Sequence, residues 1–325
     1  MRAVRFHRVG GPDVLQLDDV PEPAPGPGEA LLSVRAAGVN FADTHFRKGE
    51  YFVRPQLPQI AGMEAAGEIV AVGAGVTGLA VGDRVMALGA NAYAERMIVR
   101  PNECYPMPMG LGFVEAAALP VQGITAAHVL GLCGRVAPGD RVLVHAGAGG
   151  VGSLAIQLAK ALGASMVVAT ASSPAKRASC VQLGADVALD AGAPDFVERL
   201  KDATERKGVD VILEMIGGTE HYRRNLACLT PFGRIVVYGS ASGDMKGVVE
   251  PIALMARNVT VAGYYLTPML RRRELCAPAL EDLARRVARG DVRVVLGRQY
   301  PLAEAAEAHR ALTSRGTTGK LVLVP

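Results

Sequence analysis

The residues with the clearest chemical potential are His145-Ala146-Gly147-Ala148-Gly149-Gly150-Val151-Gly152. A continuous apolar run, RVLVHA, leads into them, and a helix-patterned stretch, VGSLAIQLAKALGA, follows. That context raises G-x-G-x-x-G from a weak pattern to a dinucleotide fingerprint. One glycine makes the turn, one lets the backbone approach a pyrophosphate, and the last lets the helix pack closely on the strand. Free N–H groups at the helix start would then hold the phosphates. A plain glycine turn is the alternative, and it would not require this strand–helix setting.

Which dinucleotide fits depends on the end of the next strand. Met166–Thr170 runs into Ala171-Ser172-Ser173-Pro174-Ala175-Lys176-Arg177, without Asp or Glu. An acid about 20 residues after the glycines would grip the ribose 2′-hydroxyl of NAD. Hydroxyls and cations favour a 2′-phosphate instead. NADPH is therefore the expected cofactor, with NADH the alternative. Lys176 and Arg177 could also be no more than a solvated helix face.

The elements that must position these residues are of two kinds. Over the first hundred residues, short apolar runs (2–6, 14–17, 30–34, 68–72, 84–88 and 94–99) alternate with Pro and Gly clusters such as PEPAPGPGE. Such punctuation predicts a small barrel or sandwich. Helical character begins over 112–133. From Arg141 onward, apolar runs (RVLVHA, MVVATA, DVALD, DVILEM) alternate with helical stretches, and IVVYG and NVTVAGYY add strands. That alternation predicts a parallel, doubly wound sheet. A long helix over 271–289, another over 302–314 and a final strand, GKLVLVP, form a coda too short to fold alone. It is expected to complete the β-rich part.

Composition removes several function classes. A length of 325 residues suits two domains, and a 50% apolar, 20% charged chain is not disordered. A net charge of +4 spread over the chain does not announce a nucleic-acid or membrane-surface protein. The stretch Val142–Ala159 carries no formal charge, but four glycines break it and it reads as a soluble βα unit. Cys104, Cys133, Cys180, Cys228 and Cys276 are scattered without a C-x-x-C pair. They fit a reducing, cytoplasmic setting and neither a disulfide framework nor a thiolate metal site.

Ordered along the chain, AVRFHRVGGPDVLQL, GVNFADTHFRKGEY, GMEAAGEIVAVGAGV, GDRVMAL, AALPVQGITA, VLVHAGAGGVGSLAIQLAKALGA, GVDVILEMIGG, GRIVVYGSASG and TTGKLVLVP resemble one family. They are similar to zinc-free medium-chain dehydrogenases/reductases of the quinone oxidoreductase (zeta-crystallin-like) branch. The resemblance implies a GroES-like β-rich domain, residues 1–122 and 267–325, and a Rossmann domain, residues 123–266, with the active site in the cleft between them. Zinc-dependent relatives carry Cys where this chain has Asn40 and His where it has Met63, so no metal is expected.

Without zinc to polarise an alcohol, the acceptor must already be electrophilic. A quinone or α,β-unsaturated carbonyl meets that condition, and the protein needs to position it, exclude water and donate to the developing oxyanion. By resemblance, Asn40, His45 and Tyr51 are the catalytic candidates, and Asp43 is another frequent cleft position or a capping carboxylate. Gln122, Thr125, Tyr238 and Gly239 match positions around the nicotinamide. Gly149, Gly150 and Val151 match the pyrophosphate turn, and Ser172 and Lys176 the 2′-phosphate site. Arg315 and Lys320 match the C-terminal segment that reaches the cofactor. Asp190 stands where some relatives have Tyr, and Glu214 where Asp is usual.

Two other readings compete with the quinone or enone reductase. An enoyl thioester reductase could use Arg271, Arg272 and Arg273 toward a CoA phosphate. Ser240-Ala241-Ser242 lacks the Lys expected of polyketide enoyl reductase domains. A zeta-crystallin-like structural or RNA-binding role belongs to another class, and no strip of interleaved Arg and aromatic residues supports it. A homodimer is expected from family habit, through the strand edge near NVTVAGYY.

Overall fold

In the N-terminal part of the chain, strands form wherever apolar and β-branched runs are bounded by Gly or Pro. They are β1 (Arg2–Phe6), β2 (Gln16–Asp19), β3 (Ala30–Gly38), β4 (Gln59–Ile60), β5 (Glu64–Val72), β6 (Arg84–Leu88), β7 (Arg96–Val99) and β8 (Cys104–Pro106). The computed structural model describes residues 1–244 and 247–325. The segment 14–17, expected as strand, opens instead as a 3-10 turn over Pro12–Val14, with β2 starting only at Gln16. Proline fixes its own φ and favours such a turn. Helix α1 (Phe41–Lys48) follows β3 and was not legible from periodicity. Past β8, the expected helical stretch divides into α2 (Phe113–Ala117) and α3 (Pro120–His128), because Pro120 has no N–H with which to continue a helix.

Residues Gly123–Pro268 form one of two compact units. It contains β9 (Arg141–Val144), β10 (Met166–Thr170), β11 (Val187–Leu189), β12 (Val209–Glu214), β13 (Leu229–Val237) and β14 (Thr260–Gly263). All pair in parallel, in the order β11-β10-β9-β12-β13-β14. Helices α4 (Gly150–Ala161), α5 (Pro174–Gln182), α6 (Phe196–Ala203) and α7 (Thr219–Cys228) connect them. Strand order reverses between β9 and β12, and in such sheets ligands bind beyond the strands' carboxyl ends at that switch point. Leu143, Val168, Phe196, Leu200 and Ile212 fill the core beneath it.

The other unit comprises Met1–Gln122 and Met269–Pro325. After the helix Arg273–Arg289, the chain adds β15 (Leu296–Pro301), a strand not anticipated from sequence, and then β16 (Lys320–Val324). β16 pairs antiparallel with β3, giving the order β15-β16-β3-β5-β6-β8, with β7 also on β3. Phe6, Leu32, Ile69, Tyr93, Met97, Leu321 and Leu323 share its core. Residues from both ends of the chain therefore bury one another. Their apolar area is the main favourable term in holding the returning strand.

Candidate active site

The glycine turn lies between β9 and α4. Gly149 is the N-cap of α4, and Gly150 and Val151 form its first turn, so the N–H groups of 150 and 151 have no partner inside the helix. The Gly149 N–H turns back to the Ala146 carbonyl at 2.9 Å and closes the bend behind them. Gly152 is demanded by packing: a Cβ there would lie 2.3 Å from the Ala146 carbonyl oxygen and 2.7 Å from the Gly147 Cα. Ala146 takes a positive φ of 51° to make the bend. The Gly147 N–H donates to the Thr170 carbonyl at 2.8 Å, which ties the turn to the end of β10. The result is a bare cradle of backbone at a helix N-terminus, chemically suited to a pyrophosphate.

Beyond β10, Ser172 is exposed and Ser173 caps α5, its hydroxyl accepting from the Lys176 N–H at 3.3 Å. Lys176 is half-buried, and desolvation pulls its pKa below the ordinary lysine range. Asp190 does not leave an uncompensated negative charge here. Its Oδ2 lies 3.4 Å from the Arg177 guanidinium, and its Oδ1 accepts from the Gly192 N–H at 2.9 Å. The Asp190 carboxylate is thus paired with Arg177 of α5. Tyr238 follows β13 and gives its N–H to the Glu214 carbonyl at 2.9 Å, with Gly239 packed on Met215. Thr125 is buried on α3.

In the other unit a buried polar cluster surrounds Asn40, the N-cap of α1. The Asn40 Nδ2 donates to Glu64 Oε1 at 2.8 Å, while Oδ1 accepts from Gln122 Nε2 at 2.7 Å and from Lys320 Nζ at 2.8 Å. Lys320 Nζ also lies 2.5 Å from Glu64 Oε1, and both side chains are buried. Lys320 therefore pairs its charge with Glu64 inside this unit. Glu64 Oε2 accepts from the Val121 N–H at 2.7 Å. Gly38 makes room for that carboxylate, since a Cβ there would sit 2.4 Å from Glu64 Oε1.

Asp43 behaves as a cap, accepting from the Asn40 N–H at 2.8 Å and from the Tyr93 hydroxyl at 3.0 Å. Behind it, Tyr93 lies 3.2 Å from His309 Nε2, and Arg47 Nη1 donates to His309 Nδ1 at 2.8 Å. The Arg47 bond requires Nδ1 to be the acceptor, so the neutral ring carries its proton on Nε2. His45, on α1, is half-buried and 3.8 Å from Glu50; burial and then Lys48 push its pKa down. Tyr51 packs edge-on against Phe52 just past α1. Arg315 is exposed at a positive φ of 59° after the helix Ala305–Thr313. Within unit boundaries, the cluster joins Asn40, Gln122 and Lys320 of the candidate residues. It does not include His45, Tyr51 or Arg315. Sequence reading missed Glu64, Tyr93 and His309; Glu64 was visible only as part of GMEAAGEIV.

These burials make a prediction about pH. Burial, with Arg47 adding to it, holds His309 down to about 3, whereas burial raises Asp43 to about 6. A depressed histidine contributes stability above pH 6.5 that is lost as pH falls toward 3. A raised carboxyl contributes stability below pH 3.8 that is lost as pH rises through 6. Between pH 6 and 4 the two slopes oppose each other. Relative to the parent protein, Asp43→Asn should lose about 1.4 kcal/mol per pH unit on acidification through that window, and His309→Gln should gain a similar amount. Urea unfolding at pH 6, 5 and 4 checks it, and parallel curves for all three proteins would refute it.

Residues 26–129 match the family described as alcohol dehydrogenase GroES-like domain, and residues 150–284 match zinc-binding dehydrogenase. A quinone oxidoreductase of Pseudomonas aeruginosa is 37% identical, with 100% of this chain and 99% of the relative aligned. The crystal structure of Escherichia coli quinone oxidoreductase complexed with NADPH superposes with a TM-score of 0.94 at 34% identity, covering 100% of both chains. The quinone oxidoreductase of Thermus thermophilus, also described with NADPH, gives 0.87 at 39% identity, again over 100% of both chains. The residues of this chain do not fit a catalytic zinc despite the second family's description. Asn40 spends both amide atoms on Glu64, Gln122 and Lys320, and Met63 offers a thioether where zinc sites use His, Cys or carboxylate. With full-length identity of this order to its relatives, the chain belongs to the quinone oxidoreductase family, a zinc-free branch of the medium-chain dehydrogenases/reductases.

Proposed function

We propose that this protein is an NADPH-dependent reductase of quinones or α,β-unsaturated carbonyls. The observation that carries the reading is the cofactor seat: the glycine turn opening α4, followed by an acid-free β10 end bearing Ser172 and Lys176 with Asp190 paired to Arg177. Relatives described as quinone oxidoreductases, two of them in complex with NADPH, support it. NADPH, when bound, supplies the hydride. The protein's own residues bind, orient and donate. N–H groups of Gly150 and Val151 hold the pyrophosphate, with the side-chain-free backbone of Gly149 beside it. Ser172 and Lys176 take the 2′-phosphate, and Gln122, Thr125, Tyr238, Gly239 and Arg315 line the remainder of the cofactor.

A conjugated acceptor carries the incoming charge on its own oxygen, so the protein needs only a hydrogen-bond donor there and a dry pocket. Asn40 gives one N–H to Glu64 at 2.8 Å and the second to the Gly38 carbonyl over a long 3.5 Å. That second N–H is the proposed donor. His45, neutral at pH 7 because its pKa is lowered, can donate a hydrogen bond but is a poor proton source; Tyr51 or solvent delivers the proton.

The test follows oxidation of NADPH and NADH with 1,4-benzoquinone, a simple enone and crotonyl-CoA. Fast NADPH oxidation with quinone is expected, and preference for the thioester would move the protein to the enoyl thioester reductases. Lys176→Ala should raise KM for NADPH about 10- to 100-fold, the value of one hydrogen bond to a charged group, and leave KM for NADH nearly unchanged. Equal effects on both cofactors would remove Lys176 from the phosphate site. β14 is one of the two edge strands of its sheet, and we propose a homodimer contact there. No helix among the described residues is long and apolar enough to cross a membrane. The five cysteines are unpaired, in keeping with a reducing cytoplasm.

A further inference from the structure

Cofactor seating does not use three side chains that converge at the carboxyl ends of β9 and β12. His145 follows β9, Glu214 ends β12, and His221 lies in the first turn of α7. Their ligating atoms all fall within 4.8 Å of one another. The Glu214 Oε2 is 3.7 Å from His145 Nε2 and 3.5 Å from His221 Nε2. Two donors on one tetrahedral ion with bonds of 2.0–2.1 Å stand about 3.4 Å apart. His145 and Glu214 are fully buried, and the His221 side chain keeps 12% of its surface in contact with solvent. His221 Nε2 itself is buried and has no hydrogen-bond partner among the described residues.

We propose that His145, Glu214 and His221 form a site for a first-row divalent cation of the Zn²⁺ or Co²⁺ class. Two imidazoles and one carboxylate suit such borderline ions and not Mg²⁺ or Ca²⁺, which want oxygen alone. The supporting contacts that hold ligands in place are already built. Glu214 Oε1 accepts from the Ile216 and Gly217 N–H groups at 2.5 and 2.9 Å, which turns Oε2 toward the two imidazoles. His145 Nδ1 is 3.0 Å from the Thr170 hydroxyl, so the ring can give its proton there while Nε2 ligates, the usual arrangement of a metal-bound histidine. Asn225 lies between the ligands and holds their place without an ion: its Nδ2 donates to Glu214 Oε2, and its Oδ1 is 2.8 Å from His145 Nε2. Turned slightly, that Oδ1 is the fourth donor. No Lys or Arg is ion-paired with Glu214 among the described residues, so the ion supplies the cation that this buried carboxylate lacks. Entry is from the His221 side. The site uses neither Asn40 nor Met63 and has no part in hydride transfer; its occupant stiffens the turn that follows His145.

The full-length chain, treated with chelator, is titrated with CoCl2 with and without NADPH. One equivalent should bind with the visible absorption of tetrahedral Co²⁺ and raise the melting temperature. Near-ultraviolet thiolate charge transfer should be absent, since the five cysteines are not ligands. His221→Ala and His221→Asn should weaken binding at least ~10-fold, the effect typical of disturbing a site's donors. They should also remove the metal-induced rise in melting temperature while metal-free melting stays within a few degrees of the parent. Absence of one-equivalent binding in the parent, thiolate absorption, or undiminished binding by both variants would overturn the assignment.

Discussion

Lys320→Met is expected to destabilise the protein by about 3–5 kcal/mol, the cost of stranding one partner of a buried ion pair. The ammonium lies 2.5 Å from Glu64 in a region where neither side chain meets solvent appreciably. Desolvation pulls the Lys320 pKa down, with the Glu64 carboxylate opposing that shift. Removing the charge leaves Glu64 with Asn40 Nδ2 and the Val121 N–H as its donors. It also leaves Asn40 Oδ1 with Gln122 alone. The double variant Glu64→Gln/Lys320→Met should recover part of the loss, because neutral amides at 40, 64 and 122 can turn to pair with one another. Gln122 Oε1, which has no partner among the described residues, is free to accept in that arrangement. Urea unfolding of the two single variants and the double would measure the coupling. Additive losses would show that the pair is not energetically joined. The functional consequence is expected in kcat more than in KM for NADPH, because Asn40 loses the Lys320 contact that helps to aim its second N–H.

The Rossmann unit was legible because its information is local. The turn 145–152 carries its own reason in eight consecutive residues, and each strand announces itself as an apolar run before a helix. The polar cluster around Asn40 was legible only in its members, not in its wiring. Asn40 meets Glu64 across 24 residues, Gln122 across 82 and Lys320 across 280. Arg47 and His309 are 262 apart. No periodicity encodes such separations; they follow from β16 returning to pair with β3. Helix α1 escaped because its eight residues are mostly polar, so its start rests on the Asn40–Asp43 cap rather than on an apolar stripe. His221 was unremarkable in TEHYRRNLAC until α7 placed it beside His145 and Glu214.

Gly152→Val should weaken NADPH binding by about 10²–10⁴, the loss of two or so hydrogen bonds to charged phosphate oxygens at 1.5–3 kcal/mol each. The argument is steric. Even a methyl at 152 would lie 2.3 Å from the Ala146 oxygen and 2.7 Å from the Gly147 Cα, and both neighbours are backbone that no side-chain rotation can clear. The helix start must move away from the turn, and the N–H groups of 150 and 151 then no longer converge. Gly149→Ala sets the scale from below: its Cβ would sit 3.2 Å from the same oxygen, and its φ of −84° is open to alanine. A loss nearer tenfold is expected there, since a shift of a few tenths of an ångström relieves the contact. Fluorescence titration with NADPH, beside far-ultraviolet circular dichroism to confirm folding, separates the outcomes. A folded Gly152→Val protein that binds NADPH like the parent would mean that the phosphates do not sit on this turn. A graded series, with Gly149→Ala between parent and Gly152→Val, is what close helix–turn packing requires.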